Sequence, residues 1–410
     1  MMKTDLVRLQ ILECIEQILY KNQNLEDIFD RTFQNFPSKD RAFARMLIAT
    51  CLKRLGQIDG VLNHFLQKPL PFNARRILSI LRIGVAQILF MDTPDHASVS
   101  TCVDLAKTTE NSAYTKLVNA VLRNLLKKTP KLLSEEKNIP DWIYEKLENQ
   151  YGKKTAHQIA KSFLDTPAID IVVKENPKLW AEKLNAEIIS GHCLRLPKGC
   201  FIPTLEGFDD GSWWVQDYSA YLATEVLENI NGLSVADFCS APGGKTASLI
   251  MKGGIVDAFD ISANRMKRLN ENLTRIHLKA QTFVKNANDI EGENKYDIVL
   301  LDAPCSATGT LRRHPDVLLH RKPTDLIQLI KAQEKLLNTA HRLVKQGGKV
   351  VYCTCSLLKD EGEEQIEKVK NLFHIIPLTT PENYTTEHGF LRPMPFHGHD
   401  GFFIALLEKK

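Results

Sequence analysis

Long apolar runs are missing from this 410-residue chain. No stretch reaches the roughly 20 apolar residues that a bilayer-spanning helix needs, so a membrane role is not expected. The amino terminus, MMKTDLVRLQILEC, lacks the hydrophobic core and small-residue cleavage site of a signal peptide, and a cytoplasmic location is expected. Cys-x-x-Cys and Cys/His groupings are also absent. The nine cysteines are scattered and odd in number, which excludes a disulfide framework and suits a reducing compartment. Cys353 and Cys355 are close, but they share one strand face, so no metal is expected. Excess charge is scarce too, at +4 overall. It is uneven, since residues 1–128 carry 18 Lys/Arg against 12 Asp/Glu. That surplus fits either a polyanion partner or a solvated helix surface.

What is present first is helix. Leu6, Leu9, Leu12, Ile15, Ile18 and Leu19 recur at helical spacing. A second series runs through Ala42, Met46, Leu47, Cys51 and Leu55 behind Ser38, a residue suited to cap its start. Pro69, Pro71 and Pro94 punctuate the later segments. An all-α bundle over residues 1–130 follows. Its segment order, with Asp40-Arg41-Ala42-Phe43-Ala44-Arg45 and Asn119-Ala120-Val121-Leu122-Arg123-Asn124, resembles the NusB RNA-binding fold. Residues 131–208 read as a small α+β linking module with strands at 168–173 and 193–196 around a helix at 177–184, suited to face RNA. Trp213, Trp214 and Tyr218 are expected to pack in a core rather than stack on bases.

From residue 209 to 410 strands alternate with helices, and Tyr296–Asp302 is nearly continuous in apolar residues, as a strand buried on both faces requires. This predicts an α/β doubly wound, mostly parallel, Rossmann-like sheet. Its first strand leads into Asp237-Phe238-Cys239-Ser240-Ala241-Pro242-Gly243-Gly244-Lys245-Thr246, a glycine turn before a helix. Glycines let backbone N–H groups approach a ligand, and a helix start adds partial positive charge. A phosphate loop would need glycine where Cys239 stands, and G-x-G-x-x-G is absent. S-adenosylmethionine, which has ribose and amino-acid groups but no phosphates, fits better. Asp260, ending the second strand, would take the ribose hydroxyls, with the loop backbone along the methionine portion.

Two more stretches place a cysteine just past an apolar strand: Asp302-Ala303-Pro304-Cys305-Ser306 and Thr354-Cys355-Ser356. Ligands of open α/β sheets gather at the carboxyl ends of the strands, so both thiols can face one pocket. Paired thiols suit methylation at carbon 5 of cytosine. A thiolate adding to carbon 6 makes carbon 5 nucleophilic, and a second thiol or base helps expel the product. Asp302 could hydrogen-bond the base, and Lys245 could contact it or lower a thiol's pKa. For a single cysteine, structural burial would be the better reading. Two at strand ends point to function, with Cys353 as the rival thiol.

With these residues in view, the chain resembles the RsmB (Sun/Fmu) family, bacterial 16S rRNA cytosine-C5 methyltransferases with an N-terminal NusB-like domain. The match spans the whole chain. It includes Val215-Gln216-Asp217, Ala307-Thr308-Gly309, Arg312-Arg313-His314-Pro315-Asp316 and Tyr352–Ser356. The resemblance implies that Cys355 is the nucleophile and that Cys305 helps release the methylated base. It also implies S-adenosylmethionine bound by Cys239, Ser240, Ala241, Pro242, Gly243, Gly244 and Lys245, with Asp260, Asn288 and Asp302. The implied substrate is a cytidine of small-subunit ribosomal RNA, acted on before assembly is complete; the protein is expected to be a monomer. Departures exist: Asn288 replaces the usual acid, Ile171 and Val173 stand where Arg and Asn are frequent, and of the segment after Thr-Cys-Ser only Glu361 is kept. The same core chemistry on tRNA, or a non-catalytic NusB-like assembly or antitermination factor, are the alternatives.

Overall fold

The computed structural model describes residues 3–128, 130–380 and 384–410. Two compact units emerge: Met1–Asp165 with Leu311–Arg321, and Thr166–Thr310 with Lys322–Lys410.

The first unit is built from helices, beginning with Lys3–Lys21, Leu25–Phe33, Ser38–Lys53 and Leu55–Phe65 and continuing with Arg75–Phe90, Asp95–Lys107, Thr115–Lys127 and Asp141–Ser162. The periodic apolar residues seen in the sequence meet in one core that includes Ile11, Leu12, Ile15, Ile18, Leu47 and Leu122. Ser38 is the first residue of its helix rather than the cap; Pro37 holds the cap position, and no side chain caps the helix. A segment from much later in the chain completes this unit. Asp316 Oδ2 accepts the Leu25 N–H at 2.9 Å, satisfying a donor at a helix start, and Leu319 packs on the core.

Two sheets make up the second unit. The smaller has four strands: β1 (Asp170–Val173), β2 (Glu187–Ser190), β3 (Cys193–Arg195) and β4 (Trp213–Val215), in the order β2-β3-β1-β4. All its pairings are antiparallel. The expected strand–helix–strand piece therefore gains an edge strand, β2, and a partner from beyond residue 208, β4. Trp213, Trp214 and Tyr218 are all buried, in keeping with a packing role.

The larger sheet holds β5 (Ser234–Phe238), β6 (Ile255–Asp260), β7 (Gln281–Val284), β8 (Tyr296–Asp302), β9 (Val344–Thr354), β10 (Phe373–Ile376) and β11 (Phe403–Lys409). Their order is β10-β11-β9-β8-β5-β6-β7. The five strands from β7 to β9 run parallel, and β11 lies antiparallel between β9 and β10. Ile298, Val299, Leu300 and Leu301 of β8 are buried, as their uninterrupted apolar character requires. This is a Rossmann-like doubly wound sheet with an antiparallel edge. The strand order reverses between β5 and β8, and such a switch point opens a crevice at the carboxyl ends of the strands.

Candidate active site

The turn after β5 is shaped by backbone demands. Cys239 has φ +60° and Gly243 φ +101°. The positive φ at Gly243 is one that glycine adopts without strain, and a side chain there would start a tight 3.0 Å from Leu269 Cγ. The outside of the turn is fastened: Arg265 donates to Ala241 O at 2.7 Å, Asn272 to Pro242 O at 2.9 Å, and Ser240 Oγ to Phe259 O at 3.2 Å. Beneath it, Asp237 is fully buried and accepts from Thr246 Oγ1 at 2.6 Å. Burial pushes its carboxyl pKa up to about 7.

A cavity of about 350 Å³ lies at the crevice, lined among others by Cys239, Asp260, Asn288, Asp302, Cys305 and Cys355. The Asp260 carboxylate is nearly all buried. Oδ1 accepts the Ser262 N–H at 2.9 Å, whereas Oδ2 has no hydrogen-bond partner, only the Arg265 guanidinium at 3.3 Å. An open acceptor on a buried carboxylate suits a ribose hydroxyl, so these residues fit the adenosine part of S-adenosylmethionine. Asn288 uses its Oδ1 to accept from Thr339 Oγ1 at 2.7 Å, leaving the donor end of its carboxamide for a ligand. Burial pushes the Cys239 thiol up to about 12, so it lines the cavity as a neutral group.

The two strand-end thiols meet at this cavity, Cys305 Sγ lying 3.4 Å from Cys355 Sγ. Neighbouring strands account for this: Asp302 of β8 pairs with Cys353 of β9, so the residues just beyond each strand emerge side by side. The Gly309 N–H holds the Cys355 carbonyl at 2.9 Å. Cys305 has its pKa raised well above the usual thiol range, first by its hydrogen bond with Cys355 and then by burial. Its thiol is thereby favoured in the neutral form beside the Cys355 sulfur. Cys353 is fully buried in the core of the sheet with its thiol 3.8 Å from Asp302 Oδ1, and it does not line the cavity.

Asp302 is paired with Lys245 at 2.8 Å. Burial works against the lysine's charge, but Asp302 and then Cys353 outweigh it and hold its pKa above the ordinary value. Ser240, Ala241, Pro242, Gly243, Gly244 and Lys245 line a second cavity of about 310 Å³, which shares Asp302 with the first. The proposed site residues thus fall around two adjoining spaces.

The role of Glu361, which the sequence marked only as the residue kept after Thr-Cys-Ser, was not anticipated. The buried Glu361 carboxylate accepts the Ser306 N–H at 2.9 Å, the Ser356 hydroxyl at 2.6 Å and the Gln333 amide at 3.0 Å. It ties together the two loops that carry the thiols. The signal in the sequence is the serine directly after each cysteine.

Comparison with known proteins agrees with this architecture. Residues 224–408 match the family model described as 16S rRNA methyltransferase RsmB/F, and residues 6–127 match the NusB family. Ribosomal RNA small subunit methyltransferase B of Photorhabdus laumondii is 31% identical, with 97% of each chain covered. The protein of the same name from Cronobacter sakazakii is 30% identical over the whole of both chains. Among solved structures, PH0851 superposes with a TM-score of 0.81 at 26% identity, covering 100% of this chain and 99% of that one. NSun6 from Pyrococcus horikoshii, solved with SFG, shares the fold at 21% identity with a TM-score of 0.57, over 66% of this chain and 98% of its own. The chain belongs to the 16S rRNA methyltransferase family of ribosomal RNA small subunit methyltransferase B, with a NusB-like helical domain ahead of a Rossmann-like, S-adenosylmethionine-dependent methyltransferase domain.

Proposed function

We propose that this chain methylates carbon 5 of a cytidine in 16S ribosomal RNA, in the cytoplasm, through a transient covalent bond from Cys355 to carbon 6 of the base. The observation that carries this reading is the 3.4 Å separation of the Cys305 and Cys355 sulfurs at a cavity shared with Asp260 and Asp302. S-adenosylmethionine supplies an electrophilic methyl group. Asp260 and Asn288 would hold its adenosine part and the turn Cys239–Lys245 the rest.

The chain's own residues perform the remaining work. A target base inside a paired or stacked strand cannot reach the thiols and must be extruded into the cavity. Cys355, as thiolate, adds to carbon 6, and the electron pair released makes carbon 5 nucleophilic. Asp302, held by Lys245 at the cavity, would hydrogen-bond the ring nitrogen or exocyclic amine of the adduct. After methylation the proton on carbon 5 leaves, the carbon–sulfur bond breaks and the ring double bond re-forms. Cys305, beside the departing sulfur, gives its proton to that sulfur, and the thiolate so formed takes the proton lost by carbon 5, leaving Cys355 a free thiol and Cys305 restored. Splitting the reaction in this way replaces one difficult substitution with two easier steps.

Incubating the protein with unmethylated 16S rRNA and S-adenosylmethionine labelled on the methyl group tests the reading. Label recovered in 5-methylcytosine is expected. Label in another nucleoside, transfer to tRNA in preference, or tight RNA binding with no transfer would overturn it.

A further inference from the structure

Gln216, one of the residues lining the second cavity, carries a buried donor with no hydrogen-bond partner. Gln216 is 6% exposed, and its Oε1 accepts from the Trp214 indole at 2.7 Å and from Ser248 Oγ at 3.1 Å. An indole nitrogen can only donate, so this contact fixes which end of the carboxamide is oxygen. The other end, Nε2, is buried without a hydrogen-bond partner. A buried amide donor left unpaired costs free energy unless a ligand completes it.

What surrounds that donor is suited to an anion. The helix Gly244–Met251 begins at this cavity, with Gly243 in its cap position and no side chain capping it. Its first N–H groups therefore lack intrahelical partners and carry the positive end of the helix dipole. Gln216 lies against that helix start: a Cβ on Gly244 would be 3.4 Å from Gln216 Cδ. The carboxylates that also line the cavity are engaged elsewhere, Asp302 with Lys245 and Asp217 with the N–H groups of Ser219 and Asp400.

We propose that Gln216 is a cofactor-positioning residue whose Nε2, with the uncapped start of the helix Gly244–Met251, receives the carboxylate of the amino-acid end of S-adenosylmethionine. The two cavities then divide one ligand. Asp260 and Asn288 serve its nucleoside end in the first, and Gln216 its carboxylate in the second. Because the cavities share Asp302, the ligand's ammonium would pass beside that acid. The inference rests on S-adenosylmethionine as cofactor and not on the cysteine chemistry, so either can fail without the other.

Gln216→Glu is the informative change, because it keeps an oxygen for Trp214 and Ser248 and replaces only the free donor. Calorimetry on the full chain would compare S-adenosylhomocysteine with 5′-methylthioadenosine, which lacks the amino-acid end. The Kd for S-adenosylhomocysteine is expected to rise at least about tenfold, the worth of one hydrogen bond to a charged group, with 5′-methylthioadenosine unchanged. Gln216→Ala should likewise narrow the preference for S-adenosylhomocysteine over its decarboxylated analogue, which covers the case of a Glu variant that does not fold. Equal weakening of both ligands would reduce Gln216 to a loop support and overturn the proposal. So would an unchanged S-adenosylhomocysteine Kd with weakened, less salt-dependent RNA binding, which would assign the donor to an RNA phosphate.

Discussion

Glu361 accepts the Ser306 backbone N–H at 2.9 Å although 55 residues separate them in sequence. The same carboxylate takes the Ser356 hydroxyl, so one buried side chain sets the distance between the Cys305 and Cys355 loops. It places the two loops, and its charge also helps hold the Cys305 pKa above the usual thiol range.

Replacing Glu361 with Gln turns one acceptor oxygen into a donor facing donors. The expected cost is about 2 kcal/mol in folding, from buried groups left unpaired. It should appear as a lowered Tm in calorimetry and a reduced kcat with S-adenosylhomocysteine affinity retained. A variant with full kcat would show that the lock is dispensable to the thiol geometry.

Gly309 makes a second test of loop placement. A Cβ there would sit 1.9 Å from the Gly401 carbonyl oxygen, so Gly309→Ala must displace backbone rather than a side chain. The displaced segment includes the N–H that holds the Cys355 carbonyl. A kcat loss of at least about tenfold is predicted in single-turnover methylation, in line with the sensitivity of catalysis to ångström-scale misplacement.

Asp237 gives a pH dependence whose sign can be worked out. Burial raises its folded-state pKa from the ordinary 3.8 to about 7. The folded chain thus binds this proton more tightly than the unfolded chain does. The stability this provides is complete below about pH 4 and is lost as pH rises through about 7. Asp237→Asn, which cannot ionise, should therefore raise Tm relative to the parent at pH 8 more than at pH 5. Equal shifts at both values, measured by thermal denaturation, would contradict a protonated Asp237 in the fold.

The contrast between legible and illegible features follows the reach of the interactions. The β8 strand, the glycine turn and the strand-end cysteines declare themselves within a few residues, because an apolar run, Gly243-Gly244 and the position of Cys305 are local facts. The trio of Trp213, Trp214 and Tyr218 was legible as core for the same reason. Partners far apart in sequence were not: Asn288 with Thr339, Ser306 with Glu361, and Asp316 with the Leu25 N–H all depend on how helices and strands are brought together. Edge strand β2 was missed because its four residues are short and largely exposed, with no apolar alternation to mark them. Ser38 failed as a cap for a local reason, as Pro37 already supplies the extended backbone at that position.

The direct test of the cysteine mechanism is mass spectrometry of the Cys305→Ala variant after incubation with 16S rRNA and S-adenosylmethionine. Without the neighbouring thiol, release should stall, and a nucleotide adduct is predicted on the peptide bearing Cys355, with none when Cys355 is also changed to Ala. An adduct on Cys353 or Cys239, or undiminished turnover by the single variant Cys355→Ala, would contradict the account.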